Sequence, residues 1–468
     1  MRIENHPFSE LKIGDSAEMR RLLTIDDLYV FAAATGNHNP MHLPREDGDG
    51  DGIAEAVAPG MFIASLVATV LGMQLPGPGT LYRRQTLNFA TRAHAGEEIR
   101  IHVEVTEKHT DGTVTLKTAI HRIGDNALIL SGEAEVIAPP KYAAFEDMHL
   151  PGLVVQRHRH FEALLDRARS LPPIPTAVVC PQEPNSLGGA LLAAKESIIT
   201  PILVGDPQKI SAAAAESDTD ITGFELLAAT HPRDAAATAC ALVNSGRAAA
   251  VMKGHLHTDD LLKPMLDKTN GLRVGRRFTH VFVMDVPGMP APIMVTDAAI
   301  NIAPDLATKV DIVQNAIDLA LALGIATPRV GVLSAVETIN IGIQSSVDAA
   351  LLSKMAERGQ IRGGLVDGPL AMDNAISLTA ARTKGITSEV AGRADILVVP
   401  GIDAGNMLAK QLAYISHAEG AGLVLGARVP VILNSRADGR MSRLASCAVA
   451  ALYQAHVCGT DMAEAPWQ

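Results

Sequence analysis

Aromatic side chains are scarce in this sequence of 468 residues: they make up 3% of it, with a single Trp. Stacking on nucleic-acid bases is a poor fit to such a chain, because it needs exposed aromatic rings. With 47% apolar residues, the cores must be aliphatic, built from Ala, Val, Leu and Ile. Positive charge is also in deficit. The 40 Lys and Arg stand against 51 Asp and Glu, the formal charge is -11, and no long basic block occurs. This excludes nucleic acid and anionic membrane as expected partners, but not a small polyanion held in a local basic pocket. Cysteine is sparse: Cys180, Cys240, Cys447 and Cys458 form no Cys-x-x-Cys pair, which argues against structural zinc and a disulfide framework. No uncharged apolar run reaches spanning length, and Met1-Arg-Ile-Glu-Asn-His lacks the apolar core of a signal peptide. A cytoplasmic location is the expectation. Also missing are a Gly-x-Ser-x-Gly elbow, a Walker loop and a dinucleotide fingerprint after a strand.

What is present divides into two textures. Residues 1–138 read as α+β. Helical patterns cover 24–35 and 54–74, and Ile99, Ile101, Val103 and Val105 then alternate with polar residues. After Asp111-Gly112 the rhythm resumes with Val114, Leu116 and Ile120, and a third strand is expected near 128–136. Period-two runs flanking Asp-Gly signal an antiparallel hairpin. Residues 139–155, with Pro139-Pro140, read as a linker, and 158–170 as a helix whose His158 and His160 are solvated.

From there, apolar strand candidates at 176–180, 202–204, 248–252, 281–284, 330–333, 396–399 and 429–433 alternate with Ala/Leu-rich helical patterns. Repeating β-α-β units imply a mainly parallel sheet with helices on both faces. The length of 156–468 suggests a two-lobed α/β body with a cleft, one lobe from about 156–280 plus 428–468 and the other from about 281–427.

The stretch Val429-Pro-Val-Ile-Leu-Asn-Ser-Arg-Ala-Asp438 is the most informative. It reads as a buried inner strand ending in a hydroxyl, a fixed cation and a carboxylate. In open α/β sheets ligands bind beyond the carboxyl ends of such strands. Arginine suits phosphate there, since its planar fork donates two hydrogen bonds and keeps its charge. A helix over 441–453 is expected to follow, so capping is the competing role for Ser435 and Asp438.

Five further pieces accompany it in order: Met252-Lys-Gly-His-Leu-His-Thr258, Asp297-Ala-Ala-Ile-Asn301, Val366-Asp-Gly-Pro-Leu370, Ala391-Gly-Arg-Ala-Asp395 and Asp403-Ala-Gly-Asn406. With them, residues from about 175 to 460 resemble the phosphate acetyl/butyryltransferase family, and the Lys-Gly-His and Ser-Arg-Ala-Asp forms resemble its butyryl branch more. The resemblance implies acyl transfer between coenzyme A and inorganic phosphate, with the CoA ester as substrate and no permanently bound cofactor. It assigns Ser435 as hydroxyl donor to the departing thiolate and Arg436 as phosphate clamp; Asp438 is the candidate carboxylate. Acetyl-type members carry an aspartate where this chain has Ser442. Substrate contacts are expected from Lys253 and His255 after a buried strand, from Lys263 and from Asn406, which alternatively caps its helix. His255 and His257 lack the accompanying spacing of a metal site, so no metal is expected. Asp367-Gly-Pro reads as a turn.

In the first texture, Phe31-Ala-Ala-Ala-Thr-Gly-Asn-His-Asn-Pro-Met-His42 and Ala58-Pro-Gly-Met61 resemble the MaoC-like enoyl-CoA hydratases of the hot-dog fold. That family uses an aspartate and a histidine five residues apart. His42 matches; the aspartate is replaced by Asn37, whose amide is no base. The expectation is a hot-dog domain kept for pairing or for docking acyl-CoA, within a homodimer or larger assembly. A bifunctional hydratase/acyltransferase and a non-catalytic acyl-CoA-binding regulator are the alternatives.

Overall fold

The computed structural model describes residues 2–44, 46–48, 50, 54–146, 153, 155, 157–436 and 438–460. The chain divides into two compact units, Met1–Val155 and Gln156–Gln468.

The first unit has strands β1 (Arg2–Glu4), β2 (Ser16–Leu22), β3 (Leu81–Gln85), β4 (Asn88–Phe89), β5 (Glu98–Lys108), β6 (Thr113–Arg122), β7 (Leu128–Ile137) and β8 (Ala144–Glu146). Six of them form an antiparallel sheet in the order β2-β5-β6-β7-β3, with β4 also paired to β7. The alternation in sequence sets its inner face: Ile99, Ile101, Val103, Val105, Val114, Leu116 and Ile120 are all buried. The helix Gly60–Met73 packs on β5 and buries Phe62, Ile63, Leu66, Val67, Val70 and Leu71, a stripe at helical spacing. The helix Ile25–Thr35 opens on a capping box in which Thr24 and Asp27 each accept the other's backbone N–H. It closes on Gly36 at φ 71°, a left-handed conformation open to glycine at no steric cost. The segment read as a linker carries structure of its own, since Ala144–Glu146 pairs with Arg2–Glu4.

The second unit has strands β9 (Ile174–Val179), β10 (Ile199–Gly205), β11 (Glu225–Ala228), β12 (Ala250–Lys253), β13 (Thr279–Asp285), β14 (Ile293–Thr296), β15 (Arg329–Leu333), β16 (Leu365–Leu370), β17 (Ile396–Val398), β18 (Glu419–Leu425) and β19 (Val431–Ile432). One sheet holds all of them, in the order β11-β10-β9-β12-β19-β18-β13-β14-β17-β15-β16. Pairing is parallel from β11 to β19 and again from β14 to β16. Between these halves, β19–β18, β18–β13 and β13–β14 are antiparallel. Those three pairings join the halves into the one sheet that spans the unit.

Three local readings are corrected. The run 429–433 yields only the two-residue strand β19, parallel to β12 but antiparallel to β18. Asp367-Gly-Pro lies inside β16 and is not a turn; Gly368 is needed because a Cβ there would stand 2.7 Å from the Val332 carbonyl oxygen. His160, expected to be solvated, is buried on the apolar face of the helix Arg159–Arg169, its Nε2 3.0 Å from the Met289 carbonyl oxygen. His158 precedes that helix, with Nδ1 3.3 Å from the Asp285 carbonyl oxygen. No helix among the described residues is long and apolar enough to cross a membrane.

Candidate active site

Strand direction decides what meets at the central edge of the second unit's sheet. β12 and β19 run parallel, so Lys253 and the loop after Ile432 emerge on the same side. β18 runs against β19, which brings its first residues, Glu419 and Gly420, to that edge; β13 runs against β18 and brings Met284. The helices Ile402–Tyr414 and Thr258–Met265 close the sides. They enclose a cavity of about 300 Å³ lined by Lys253, His257, Asn406, Lys410, Tyr414, Ser435, Arg436, Asp438 and Ser442, with Phe282, Met284, Ala409, Ala413 and Ala418 supplying an apolar part.

The loop after β19 is held by hydrogen bonds that start in the core. Ser446 Oγ, buried on the helix Arg440–Val457, accepts from Gly422 N at 3.1 Å and from Asn434 Nδ2 at 3.0 Å. Asn434 Nδ2 also donates to Asp438 Oδ2 at 3.3 Å, and that oxygen accepts the Ser435 N–H at 2.8 Å. Asp438 N returns a bond to the Ser435 carbonyl at 3.2 Å. From below, the buried Arg443 donates through Nη2 to the same carbonyl at 3.0 Å and through Nη1 to the Lys253 carbonyl at 3.5 Å. Arg443 fits there because Gly189 has no side chain; a Cβ on it would lie 2.6 Å from the Arg443 Cδ.

Electrostatics follow from this packing. Lys253 is only 4% exposed. Burial pushes its ammonium down to about 8, the Arg443 and Arg436 guanidiniums push the same way, and Asp438 partly opposes them. Behind the loop, His280 is fully buried against the edge of Phe282, and burial lowers its titration.

The expected site residues are partly gathered. Ser435, Arg436, Asp438, Lys253 and Asn406 line one cavity. Ser435 and Arg436 are exposed, whereas Asp438 is engaged in closing the turn. Asn406 lies within the helix Ile402–Tyr414, whose cap is Gly401, so capping is not its role. His255 is exposed and does not line the cavity; His257 does, placed at the N-cap of its helix by the turn that bonds Gly254 N and His255 N to the end of β9. Lys263 is likewise exposed on the helix Thr258–Met265 and outside the lining. Ser442, at the position where acetyl-type members carry an aspartate, donates to Glu419 Oε2 at 2.5 Å, so a carboxylate stands beside that position from another strand. Sequence reasoning missed Arg443, Lys410, Tyr414 and Ser446. Arg443 alone gave a signal, as a lone cation in the otherwise small and apolar run Leu444-Ala-Ser-Cys-Ala-Val-Ala-Ala451 that follows it.

In the first unit, Asn37 and His42 do meet. With Phe31, Thr35, Pro59, Gly60, Met61 and Phe89 they line a cavity of about 450 Å³. His42 Nδ1 is 2.8 Å from the Val57 carbonyl oxygen, which orients the ring, and Asn37 Oδ1 accepts the Asn39 N–H at 3.3 Å.

Comparison with known proteins finds matches to both units. The phosphate acetyl/butaryl transferase family model covers residues 227–451, and a MaoC like domain model covers 11–123. Phosphate acetyltransferase of Rhizobium meliloti is 56% identical over 295 residues, which cover 63% of this chain and 93% of the relative. Phosphate butyryltransferase of Clostridium beijerinckii is 43% identical over 297 residues, 64% of this chain and 98% of the relative. Overall identity is thus higher to an acetyl-type relative, although the two short motifs resemble the butyryl branch. The crystal structure of a branched-chain phosphotransacylase from Enterococcus faecalis is 32% identical, with a TM-score of 0.53, and the match covers 60% of this chain and 99% of that one. Through its second unit the chain belongs to the phosphate acetyl/butyryltransferase family, and a MaoC-like hot-dog domain precedes that unit.

Proposed function

We propose that the second unit transfers an acyl group between coenzyme A and inorganic phosphate, acyl-CoA plus phosphate giving acyl phosphate plus CoA. The observation that carries this reading is the placement of Ser435 and Arg436 with Lys253 on one cavity at the carboxyl ends of β12 and β19. The reaction brings two anions together, and fixed cations aimed at the developing charge offset their repulsion. Arg436 clamps the phosphate. A phosphate oxygen attacks the thioester carbonyl, the C–O bond forms and the C–S bond breaks. Ser435 donates a hydrogen bond to the departing sulfur, while Asp438 and Asn434 hold the loop. The acyl chain occupies the apolar part beside Phe282, Met284 and Ala413. A homodimer or larger assembly and a cytoplasmic location go with this reading; four free cysteines suit a reducing compartment.

The test is release of free thiol from acetyl-, propionyl- and butyryl-CoA, with and without phosphate. Release should require phosphate and fall about 100- to 1000-fold in Arg436→Ala, the scale seen when a charge-stabilising donor is removed. Tight binding of CoA esters without turnover would instead favour a regulatory acyl-CoA-binding protein.

For the first unit we propose docking of an acyl thioester in the cavity of Asn37 and His42 without hydration. Support comes from a cavity that keeps its oriented histidine but places an amide where a base is required.

A further inference from the structure

The acyl-transfer reading leaves one proton without a carrier. In the forward direction a thiolate of coenzyme A departs and is protonated; in reverse, the thiol must lose its proton before sulfur attacks the acyl phosphate. A group that titrates close to the thiol's own range, about 8.5, is best matched to this exchange. The carboxylates near the loop are occupied. Asp438 Oδ2 accepts from Ser435 N and Asn434 Nδ2, and Glu419 accepts from Ser442. Of the titratable groups lining the cavity, His257, Lys410, Tyr414 and Arg436 are exposed and Asp438 is half-buried. Among these described lining groups Lys253 alone is buried, and its ammonium makes no hydrogen bond or ion pair with any described residue. An ammonium on a buried stem, with no ion-pair partner and two guanidiniums near it, is costly to maintain, so its presence on the cavity at the carboxyl end of β12 calls for a role.

The geometry points to Lys253 as the catalytic proton carrier of the transfer: the ammonium protonates the departing CoA sulfur, and the neutral amine deprotonates the CoA thiol in reverse. This inference rests on the acyl-transfer reading. The step balances. The electron pair of the broken C–S bond stays on sulfur and takes the Nζ proton, while the phosphate oxygen supplies the pair of the new C–O bond. The hydrogen phosphate that has attacked becomes an acyl phosphate, a stronger acid, and sheds its proton; the amine left behind takes up an equivalent proton through solvent at the mouth of the cavity. The groups facing Lys253 are consistent with this use. Arg443 from the helix beneath and Arg436 from the loop favour the neutral amine, Asp438 favours the ammonium, and Cys180 lies at the end of neighbouring β9. Burial acts in the same direction as the two arginines and brings the group down to about 8, within reach of the thiol. Ser435 keeps its part as hydrogen-bond donor to sulfur, and Arg436 keeps the phosphate.

The experiment measures kcat and KM in both directions from pH 6 to 10 for the wild type, Lys253→Arg and Lys253→Gln. For the wild type, kcat for thiol release should fall, and kcat for acyl-CoA synthesis should rise to a plateau, with a shared midpoint near 8. Lys253→Arg keeps the charge but cannot give up its proton. It should lose about 100-fold or more in kcat both ways, keep its phosphate KM within about threefold, and show no limb near pH 8. Rescue by arginine, with the limb intact, would overturn the proposal and leave Lys253 as a point charge. So that the test does not depend on the variants folding, the wild-type protein is also labelled with acetic anhydride across pH, and Lys253 is followed by mass spectrometry. Half-reactivity near 8 supports the proposal; a midpoint above 10 overturns it. If the wild type releases no thiol in response to phosphate, the acyl-transfer reading fails first and the two failures are told apart.

Discussion

Replacing Asp438 separates two jobs that a carboxylate after Ser435-Arg436 can hold. In the structure its Oδ2 accepts the Ser435 N–H at 2.8 Å and the Asn434 amide at 3.3 Å, which closes the loop. Asp438→Asn keeps an acceptor oxygen in the same place and removes the charge. Each hydrogen bond to a charged acceptor contributes about 1.5–3 kcal/mol and each neutral one about 0.5–1.5 kcal/mol, so over the two bonds the amide should cost about 2 kcal/mol of loop order. If the fall in kcat/KM reflects the closed-loop population, that is about 30-fold. Asp438→Ala removes both bonds, about 3–6 kcal/mol, and should cost about 150-fold or more. The assay is phosphate-dependent thiol release, with the pH profile taken for each variant. Asp438 favours the charged form of Lys253, so the asparagine should also move the falling limb of the forward reaction below its wild-type midpoint near 8. A loss in Asp438→Asn equal to that in Asp438→Ala would refute this reasoning and make the carboxylate itself a base.

Other outcomes follow from buried groups and from the first unit. Lys309 Nζ and Asp348 Oδ2 are 2.6 Å apart and both buried, so Lys309→Met strands a carboxylate and should cost about 3–5 kcal/mol in urea unfolding. The double variant Lys309→Met/Asp348→Leu should recover most of that; no recovery would show that the lysine acts through packing alone. A thiol reagent at pH 8 should modify Cys458 rapidly and the other three slowly, because burial pushes Cys180 and Cys240 up to about 11 and Cys447 to about 12. Denaturation should release all four. In the full chain, Asn37→Asp should create hydration of a short enoyl-CoA where the wild type shows none, measured by loss of the enoyl absorbance. Equal hydration by the wild type would sink the argument from the amide.

Much of this was legible in the sequence, for reasons that can be traced residue by residue. The hot-dog sheet announced itself because β5 and β6 bury one face only, and half-burial writes itself as alternation. Ser435 and Arg436 were found because an abrupt change from apolar to polar marks a strand's end whatever the strand's length. β18 was not legible. Its Glu-Gly-Ala-Gly start reads as a loop, yet Gly422 is required where a Cβ would sit 2.4 Å from the Leu433 carbonyl oxygen. The strand exists through its pairing with β13, not through local propensity. The choice between His255 and His257 likewise depended on a turn. Gly254 passes so close to the end of β9 that a Cβ would lie 2.3 Å from the Cys180 carbonyl oxygen, and this tight approach sets which imidazole reaches the cavity.

The hidden residues matter most for charge. The chain as a whole carries -11, which repels phosphate at long range. The cavity reverses that sign locally: among the described residues Lys253, Lys410 and Arg436 line it against the one carboxylate of Asp438, and Arg443 lies directly beneath. Lys410 was unreadable because nothing in a helix's sequence says which cleft its face will border. Arg443 was unreadable as part of the site because it contributes through two backbone carbonyls. Those two bonds tie the end of β12 to the loop after β19, the segments that carry Lys253 and Arg436. A buried guanidinium so placed fixes the spacing of Lys253 and the Ser435-Arg436 loop, and its charge adds to burial, the larger cause, in bringing the Lys253 ammonium down to about 8.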